Sequence, residues 1–241
     1  MDIADKVCII TGASAGIGLS TARLFAEKGA KVVLAARSAE KLAAIAEDLH
    51  AQGREVLAMP TDIRNWDAVN RMVNRTRERY RRIDILINNA GQAATGNVAD
   101  VRIEDFRAIM DLNVFGALYA IQAVVPMMRK GGGGVIVNIS SMVSKMRLPG
   151  LGAYAATKTA LTMLSETARV ELADENIRVV SVFPRMTSTD FGKNALHSGG
   201  IDHQERRAQS VGKIPIDSPE YVAGKILDAV QSERAEQYMD G

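Results

Sequence analysis

The chain has 241 residues, 47% apolar and 24% charged, which suits one domain with a substantial core. Its 30 basic and 28 acidic side chains leave a net charge of +2, too small to imply nucleic acid or an anionic membrane as a partner. One cysteine, Cys8, excludes an internal disulfide and fits a reducing compartment; with no basic-then-apolar leader and no apolar run approaching a membrane span, the expected setting is the cytoplasm.

Strands are expected at "KVCIIT", "KVVLAA", "EVLAMP", "IDILIN", "GVIVNIS" and "IRVVSVF". Each is a continuous apolar run, the pattern of parallel strands covered on both faces. Helical patterns lie between them at about 17–28, 38–51, 65–80, 103–130 and 153–174, with another near 218–232. The alternation predicts an α/β fold, a Rossmann-type doubly wound parallel sheet in three α/β/α layers.

The first strand runs straight into "TGASAGIG", Thr11 to Gly18, at the mouth of the first helix. Glycines at 12, 16 and 18 permit a tight turn and let a pyrophosphate approach the positive helix end. The spacing GxxxGxG is not the GxGxxG fingerprint, so the strand–turn–helix context carries the reading. The second strand ends in "VVLAARSAE", with Ala36 where an acid would hold ribose hydroxyls, then Arg37 and Ser38. The missing carboxylate and the arriving guanidinium both favour the 2′-phosphate of NADP; the alternative is that Arg37 only caps the strand in solvent. After the third strand, Asp62 is a candidate acceptor for the adenine amino group. After the fourth comes "NNAG", where Asn88 is either a cofactor contact or a tie between loops. Both lie at C-terminal strand ends, where open α/β sheets bind ligands.

The fifth strand ends in "VNISSM", and "GAYAATKTAL" follows. On a helix, Tyr154 and Lys158 share one face about one turn apart. A free phenol, with a pKa near 10, is a poor base at neutral pH, and a neighbouring ammonium favours its anion. Ser141 is a neutral donor for charge developing on a substrate oxygen, with Ser140 its rival by residue type. Read singly, each residue has an inert explanation: a surface pair, a strand-end hydroxyl, a buried amide at Asn113.

The segments "TGASAGIG", "NNAG", "LNVFG", Ser141, Tyr154-x-x-x-Lys158 and "FPRMTSTD" occur in order along the chain. With them the sequence resembles the short-chain dehydrogenase/reductase family, in its single-domain branch of about this length, over roughly residues 5 to 232. The resemblance implies that Tyr154 gives or takes the proton at the carbonyl or alcohol oxygen, and that Ser141 hydrogen-bonds the same oxygen. It implies that Lys158 holds the nicotinamide ribose and lowers the pKa of Tyr154, and that Asn113 holds a water linked to Lys158. Cofactor contacts are implied for Gly12, Ser14, Gly16, Ile17, Gly18, Ala90, Gly91 and Pro184, with Thr187 and Thr189 near the carboxamide or pyrophosphate. The substrate pocket is expected from the segment after Ser141 and a loop at about 185–215, lined by Met142, Leu148, Leu151, Met186 and Phe191.

One departure stands out: where the family has Pro-Gly, this chain has Pro184 and Arg185. That cation either points to solvent or attracts an acidic substrate group or a cofactor phosphate. Helices equivalent to 103–130 and 153–174 pair across subunits in related proteins, so a homodimer or homotetramer is expected. The expected activity is NADP(H)-dependent interconversion of a carbonyl and a secondary alcohol, on a hydrophobic ketone or keto ester, with no metal. A 3-oxoacyl thioester or a keto acid as substrate, and a non-catalytic dinucleotide-sensing protein, are the alternatives.

Overall fold

A computed structural model of the protein describes residues 1–197 and 215–240. Its strands are β1 (Val7–Thr11), β2 (Lys31–Ala36), β3 (Val56–Pro60), β4 (Ile85–Asn88), β5 (Ala94–Thr95), β6 (Gly134–Ile139), β7 (Ile177–Phe183), β8 (Leu196–His197) and β9 (Glu236–Tyr238). Its helices are α1 (Gly16–Glu27), α2 (Ala39–Ala51), α3 (Trp66–Tyr80), α4 (Ile103–Met110), α5 (Gly116–Lys130), α6 (Gly152–Glu171) and α7 (Pro219–Ser232).

One parallel sheet runs in the order β3-β2-β1-β4-β6-β7-β9, the doubly wound arrangement expected from the alternation. Within each strand, successive residues serve opposite faces. Cys8, Ile10, Leu34, Ile87 and Val182 pack with Phe25, Leu42 and Ile226 of α1, α2 and α7. Ile9, Val33, Leu86, Ile136 and Val179 pack with Met72, Val124 and Met128 of α3 and α5. Two apolar faces explain why the strand sequences show no polar alternation. Cys8 is fully buried, and burial pushes its thiol pKa well up, so it is a core side chain rather than a nucleophile.

Chain order reverses between β1 and β4, and the crevice beyond their C-terminal ends is the topological switch point of the sheet. Side chains cap the helices entering from β2, from β3 and ahead of α7: Ser38, Asn65 and Ser218 accept from the amides of Lys41, Ala68 and Tyr221. The start of α1 has no such cap, because Ala15 stands there, and no acid occupies its first turn.

Two expectations need correction. The stretch 103–130 is not one regular helix: a π-helical turn, Asp111–Phe115, separates α4 from α5. The same stretch, Ile103–Lys130, is long and apolar enough to cross a membrane by length and composition, contrary to the reading that no run approaches a span. Its apolarity has another use. Ile121, Val124, Val125 and Met128 are buried in the core beneath the sheet. The short strands β5, β8 and β9 and the 3-10 turn Met142–Lys145 carry no periodic signal that a sequence reading detects.

Candidate active site

The glycine-rich turn is fixed from outside by hydrogen bonds to the segment after β4. Thr11 Oγ1 accepts from the amides of Asn89 (3.0 Å) and Ala90 (3.1 Å), and Asn89 Nδ2 donates to the Thr11 carbonyl at 2.9 Å. Gly12 has φ +69°, and a Cβ on it would stand 2.9 Å from the Ala90 Cα. A Cβ on Gly18 would stand 2.3 Å from the Gly12 carbonyl oxygen. Backbone therefore packs on backbone here, leaving the first amides of α1 without a side-chain acceptor. Ser14, Gly16 and Ile17 are half-buried around that helix end. Uncapped amides, a positive helix end and no acid in the first turn fit a phosphate group.

At the end of β2, Ala36 is buried and Arg37 is exposed, while the Ser38 hydroxyl is engaged as the α2 cap. Asp62 holds Arg64 through Nε (3.0 Å) and Nη2 (2.6 Å) and accepts the Arg64 amide at 3.0 Å. The Arg64 hydrogen bond, with Arg37 contributing at longer range, lowers the Asp62 pKa despite partial burial. Any adenine contact of Asp62 would share the carboxylate with Arg64. Asn88 lies inside the sheet instead. Its Nδ2 donates to Asn138 Oδ1 at 2.9 Å and to the Ala117 carbonyl at 3.3 Å, and Asn138 Nδ2 donates to Ser165 Oγ at 2.7 Å. Its side chain thus ties β4 to β6 and α5, the structural alternative of the sequence reading, and Asn89 is the asparagine that meets the turn.

The chemical groups come from β6, α6 and the π turn. Ser140, the rival serine, is 2% exposed with Oγ bonded to Thr162 Oγ1 (2.8 Å) and the Lys158 carbonyl (3.3 Å). Ser141 instead begins the 3-10 turn, accepting the Val143 amide at 3.3 Å, and lies close enough to the Tyr154 phenol to favour its anion. Burial raises the Tyr154 pKa well above its ordinary value, and Ser141 offsets only part of that. Lys158 is buried, donates to the Ile139 carbonyl at 2.8 Å, and lies 5.9 Å from the centre of the Tyr154 ring. Burial lowers its pKa to about 8. The structure thus puts desolvation first at Tyr154, whereas the sequence argument expects the ammonium to make the phenol acidic. In this state the phenol keeps its proton at neutral pH.

Asn113 sits in the π turn with its amide fully engaged. Nδ2 donates to the Gln92 carbonyl and to Thr157 Oγ1, and Oδ1 accepts the Gln92 amide, each at 2.9 Å. Thr157 in turn donates to the Tyr154 carbonyl at 2.8 Å, so the Asn113 amide is braced against the helix carrying Tyr154 and Lys158. A Cβ on Gly91 would lie 3.1 Å from Asn113 Oδ1 and 3.5 Å from Lys158 Nζ, which places "NAG" beside both. Gln92 and Thr157 were not singled out from the sequence. Thr157 immediately precedes Lys158 in the same helical motif, and that adjacency is the only signal that points to it.

Around Tyr154 lies an apolar cluster that the sequence hardly advertises: Ala93, Ala94, Ile109 and Ala153, with Phe106 and Leu196 packed on it. Strand β5 pairs in parallel with β8, Ala94 opposite Leu196, and Gln92 Nε2 donates to the Asn194 carbonyl at 2.7 Å. Phe191 tilts against Tyr154 with ring centres 5.8 Å apart. Met142 donates its amide to the Pro184 carbonyl, and Leu148 and Leu151 lie half-buried on the loop entering α6. Met186 is half-buried beside Thr187, while Thr189 meets the turn, its Cγ2 3.1 Å from where a Gly16 Cβ would stand. The second half of the expected loop at 185–215 lies outside the described residues.

Two of the cations near the mouth, Arg185 and Lys145, are committed elsewhere, whereas Arg147 is exposed and bonds the Met146 carbonyl. Arg185 takes neither of its expected roles: it pairs with Asp217 at 2.9 Å. Lys145 pairs with Glu236 at 3.1 Å and covers the Phe183 ring.

A doubly wound sheet with a glycine turn at its switch point and Ser141, Tyr154 and Lys158 beside it has the architecture of an oxidoreductase built around a dinucleotide site. The chain belongs to the short chain dehydrogenase family, whose model matches residues 6–198. Among its relatives is an uncharacterized oxidoreductase of Listeria monocytogenes, 38% identical over 193 residues, or 79% of this chain and 78% of the relative. A 7α-hydroxysteroid dehydrogenase solved with NADH and 7-oxo glycochenodeoxycholic acid superposes with a TM-score of 0.88 at 28% identity, over 99% of this chain and 94% of that one. L-sorbose reductase of Gluconobacter frateurii, solved with NADPH and L-sorbose, superposes with a TM-score of 0.87 at 30% identity, over 100% of this chain and 98% of that one.

Proposed function

We propose that the protein is an NADP(H)-dependent reductase of a hydrophobic ketone or keto ester, run by one catalytic domain. The observation that carries this reading is the buried Tyr154 phenol beside Ser141, with Lys158 Nζ one helical turn on and 5.9 Å from its ring centre. A phenol carries its proton at neutral pH and can give it to a carbonyl oxygen, which suits reduction.

NADP(H), when bound, supplies the hydride. The chain's own residues do the rest. The turn from Gly12 to Gly18 and the uncapped amides of α1 would hold the pyrophosphate. Arg37, exposed and without a carboxylate in ion-pair range among the described residues, would take the 2′-phosphate. Lys158, turned inward at the C-terminal end of β6, would hold the ribose hydroxyls beside Ala90 and Gly91. Thr187 and Thr189 would reach the carboxamide or pyrophosphate. Tyr154 gives its proton to the carbonyl oxygen, and Ser141 hydrogen-bonds the same oxygen as negative charge gathers on it. Asn113 keeps the helix of Tyr154 and Lys158 in place through Thr157.

The substrate class rests on what surrounds the phenol. Phe191 is exposed against the phenol, Phe106 and Leu196 are half-buried over a buried cluster of Ala93, Ala94 and Ile109, and Arg185 and Lys145 are already paired with carboxylates. These features favour a ketone flanked by hydrophobic groups over a keto acid. The 7α-hydroxysteroid dehydrogenase, solved with 7-oxo glycochenodeoxycholic acid, is a neighbour whose ligand suits this description.

Turnover of NADPH and NADH, followed by absorbance over ketones, keto esters and keto acids, tests the reading. The expected result is NADPH-dependent reduction of hydrophobic ketones, with Arg37→Asp transferring the preference to NADH. Equal use of both dinucleotides by both proteins would remove Arg37 from the account.

The protein is further proposed to be a homodimer or homotetramer in the cytoplasm. The outer faces of the π turn and α6 expose Phe115 (44%), Met163 (61%) and Val170 (78%), an apolar stripe that a second copy would cover. Light scattering at micromolar concentration should give at least twice the 26.0 kDa of one chain, and a monomer would contradict the assignment.

A further inference from the structure

Arg185 stands where the family has glycine, yet no left-handed backbone is needed there: it is absent from the residues with positive φ. Its side chain instead reaches a residue 32 positions away. Arg185 Nε donates to Asp217 Oδ2 at 3.1 Å and Nη2 to Oδ1 at 2.9 Å, a two-pronged pair with side chains 18% and 7% exposed. The backbone repeats the link. The Asp217 amide donates to the Met186 carbonyl at 2.8 Å, the Ser188 amide donates to the Asp217 carbonyl at 2.9 Å, and Thr187 forms a parallel bridge with Asp217.

The far side of this link is rigid. Ser218 caps α7, Ser20 of α1 donates to Glu220 at 2.9 Å, and Val222 and Ile226 are fully buried. The near side leads within a few residues to both functional ends. Thr189 packs on Gly16 at the glycine turn, and Phe191 packs on Tyr154. The Thr189 amide donates to the Thr187 carbonyl at 2.8 Å, and the Phe191 amide donates to Thr189 Oγ1 at 3.3 Å, so the segment passes a displacement along rather than absorbing it.

We propose that Arg185 and Asp217 are positioning residues: their ion pair locks the segment after β7 to the base of α7 and so sets the register of Thr187, Thr189 and Phe191 against the dinucleotide site and Tyr154. The inference rests on the dehydrogenase reading above. Neither side chain touches the reacting groups, so the effect is read through affinity and turnover.

The test compares wild type with Arg185→Ala, Asp217→Ala, the double variant Arg185→Ala/Asp217→Ala, and Arg185→Lys. NADPH affinity is read by fluorescence, kcat and KM are read on one ketone that the wild type reduces, and thermal midpoints are taken in the same preparations. Arg185→Ala leaves a buried carboxylate without its partner, so NADPH affinity should fall about 10- to 100-fold and kcat with it. The double variant should be no worse than Arg185→Ala, because the pair acts as one unit. Arg185→Lys, with one prong, should restore affinity part of the way. If Arg185→Ala does not fold, Asp217→Asn, which keeps the shape and loses the charge, carries the same expectation. Variants that melt earlier yet bind and turn over as wild type would make the pair merely structural and overturn the proposal. Additive losses in the double variant would overturn it too. A wild type that binds neither NADPH nor NADH would instead bring down the dehydrogenase reading itself.

Discussion

Residues 11–18 and residues 186–197 face the same crevice from opposite sides, and they hold their shapes by different means. The first segment is backbone packed on backbone, with glycines where any Cβ would collide and with Asn89 tying the turn down. The second is held by partners remote in sequence: Asp217 for Arg185, Tyr154 for Phe191, Ala94 for Leu196. On the proposed reading, the pyrophosphate site is built from one short run braced by Asn89. The substrate side is assembled from distant pieces that hold one another in register.

The largest separation between the two should come from single substitutions on either side. Gly18→Ala places a methyl 2.3 Å from the Gly12 carbonyl oxygen, so dinucleotide binding should be lost and the fold destabilised by about 1–3 kcal/mol. Phe191→Ala, on the other side, should change KM for the ketone and leave NADPH affinity within about twofold, since a half-exposed ring contributes contact rather than backbone shape. Isothermal titration with NADPH beside steady-state kinetics reads both, and loss of NADPH binding in Phe191→Ala would erase the distinction.

A smaller effect should appear with pH. Lys158 titrates at about 8, so kcat/KM for the dinucleotide should fall above that pH as the ammonium that holds the ribose is lost. Tyr154, raised by burial, still carries its proton there. Stability moves the other way. The folded pKa of Lys158 lies below its unfolded value of 10.5, so between about 8 and 10.5 the unfolded chain binds more protons and this lysine's contribution to stability rises with pH. An alkaline loss of activity should therefore occur in a protein that is still folded, which circular dichroism on the same samples checks. A profile flat to pH 10 would contradict the assignment.

The same contrast explains what the sequence made legible. The doubly wound parallel sheet and the main helices follow from apolar runs, and Ser141, Tyr154 and Lys158 lie in motifs contained in short stretches. Spacing favours Ser141 over Ser140, and the structure adds the physical reason: the Ser140 hydroxyl is engaged with Thr162 and the Lys158 carbonyl. Asn88 and Asn89 are neighbours of one type, and only the strand's alternation sends one into the sheet and the other to the turn. The partner of Arg185 lies 32 residues away across a segment with no periodicity, so nothing in "FPRMTSTD" announces it. Strands of two residues, β5 and β8, are too short for any pattern to register.

The central claim is that Tyr154 delivers a proton to a carbonyl oxygen while the rest of the chain holds a dinucleotide. Its most direct test is NADPH oxidation by wild type and Tyr154→Phe with one ketone that the wild type reduces, with NADPH affinity measured in the same preparations. Turnover should fall about 10²- to 10⁴-fold while affinity stays unchanged. A variant that keeps wild-type turnover would contradict the account.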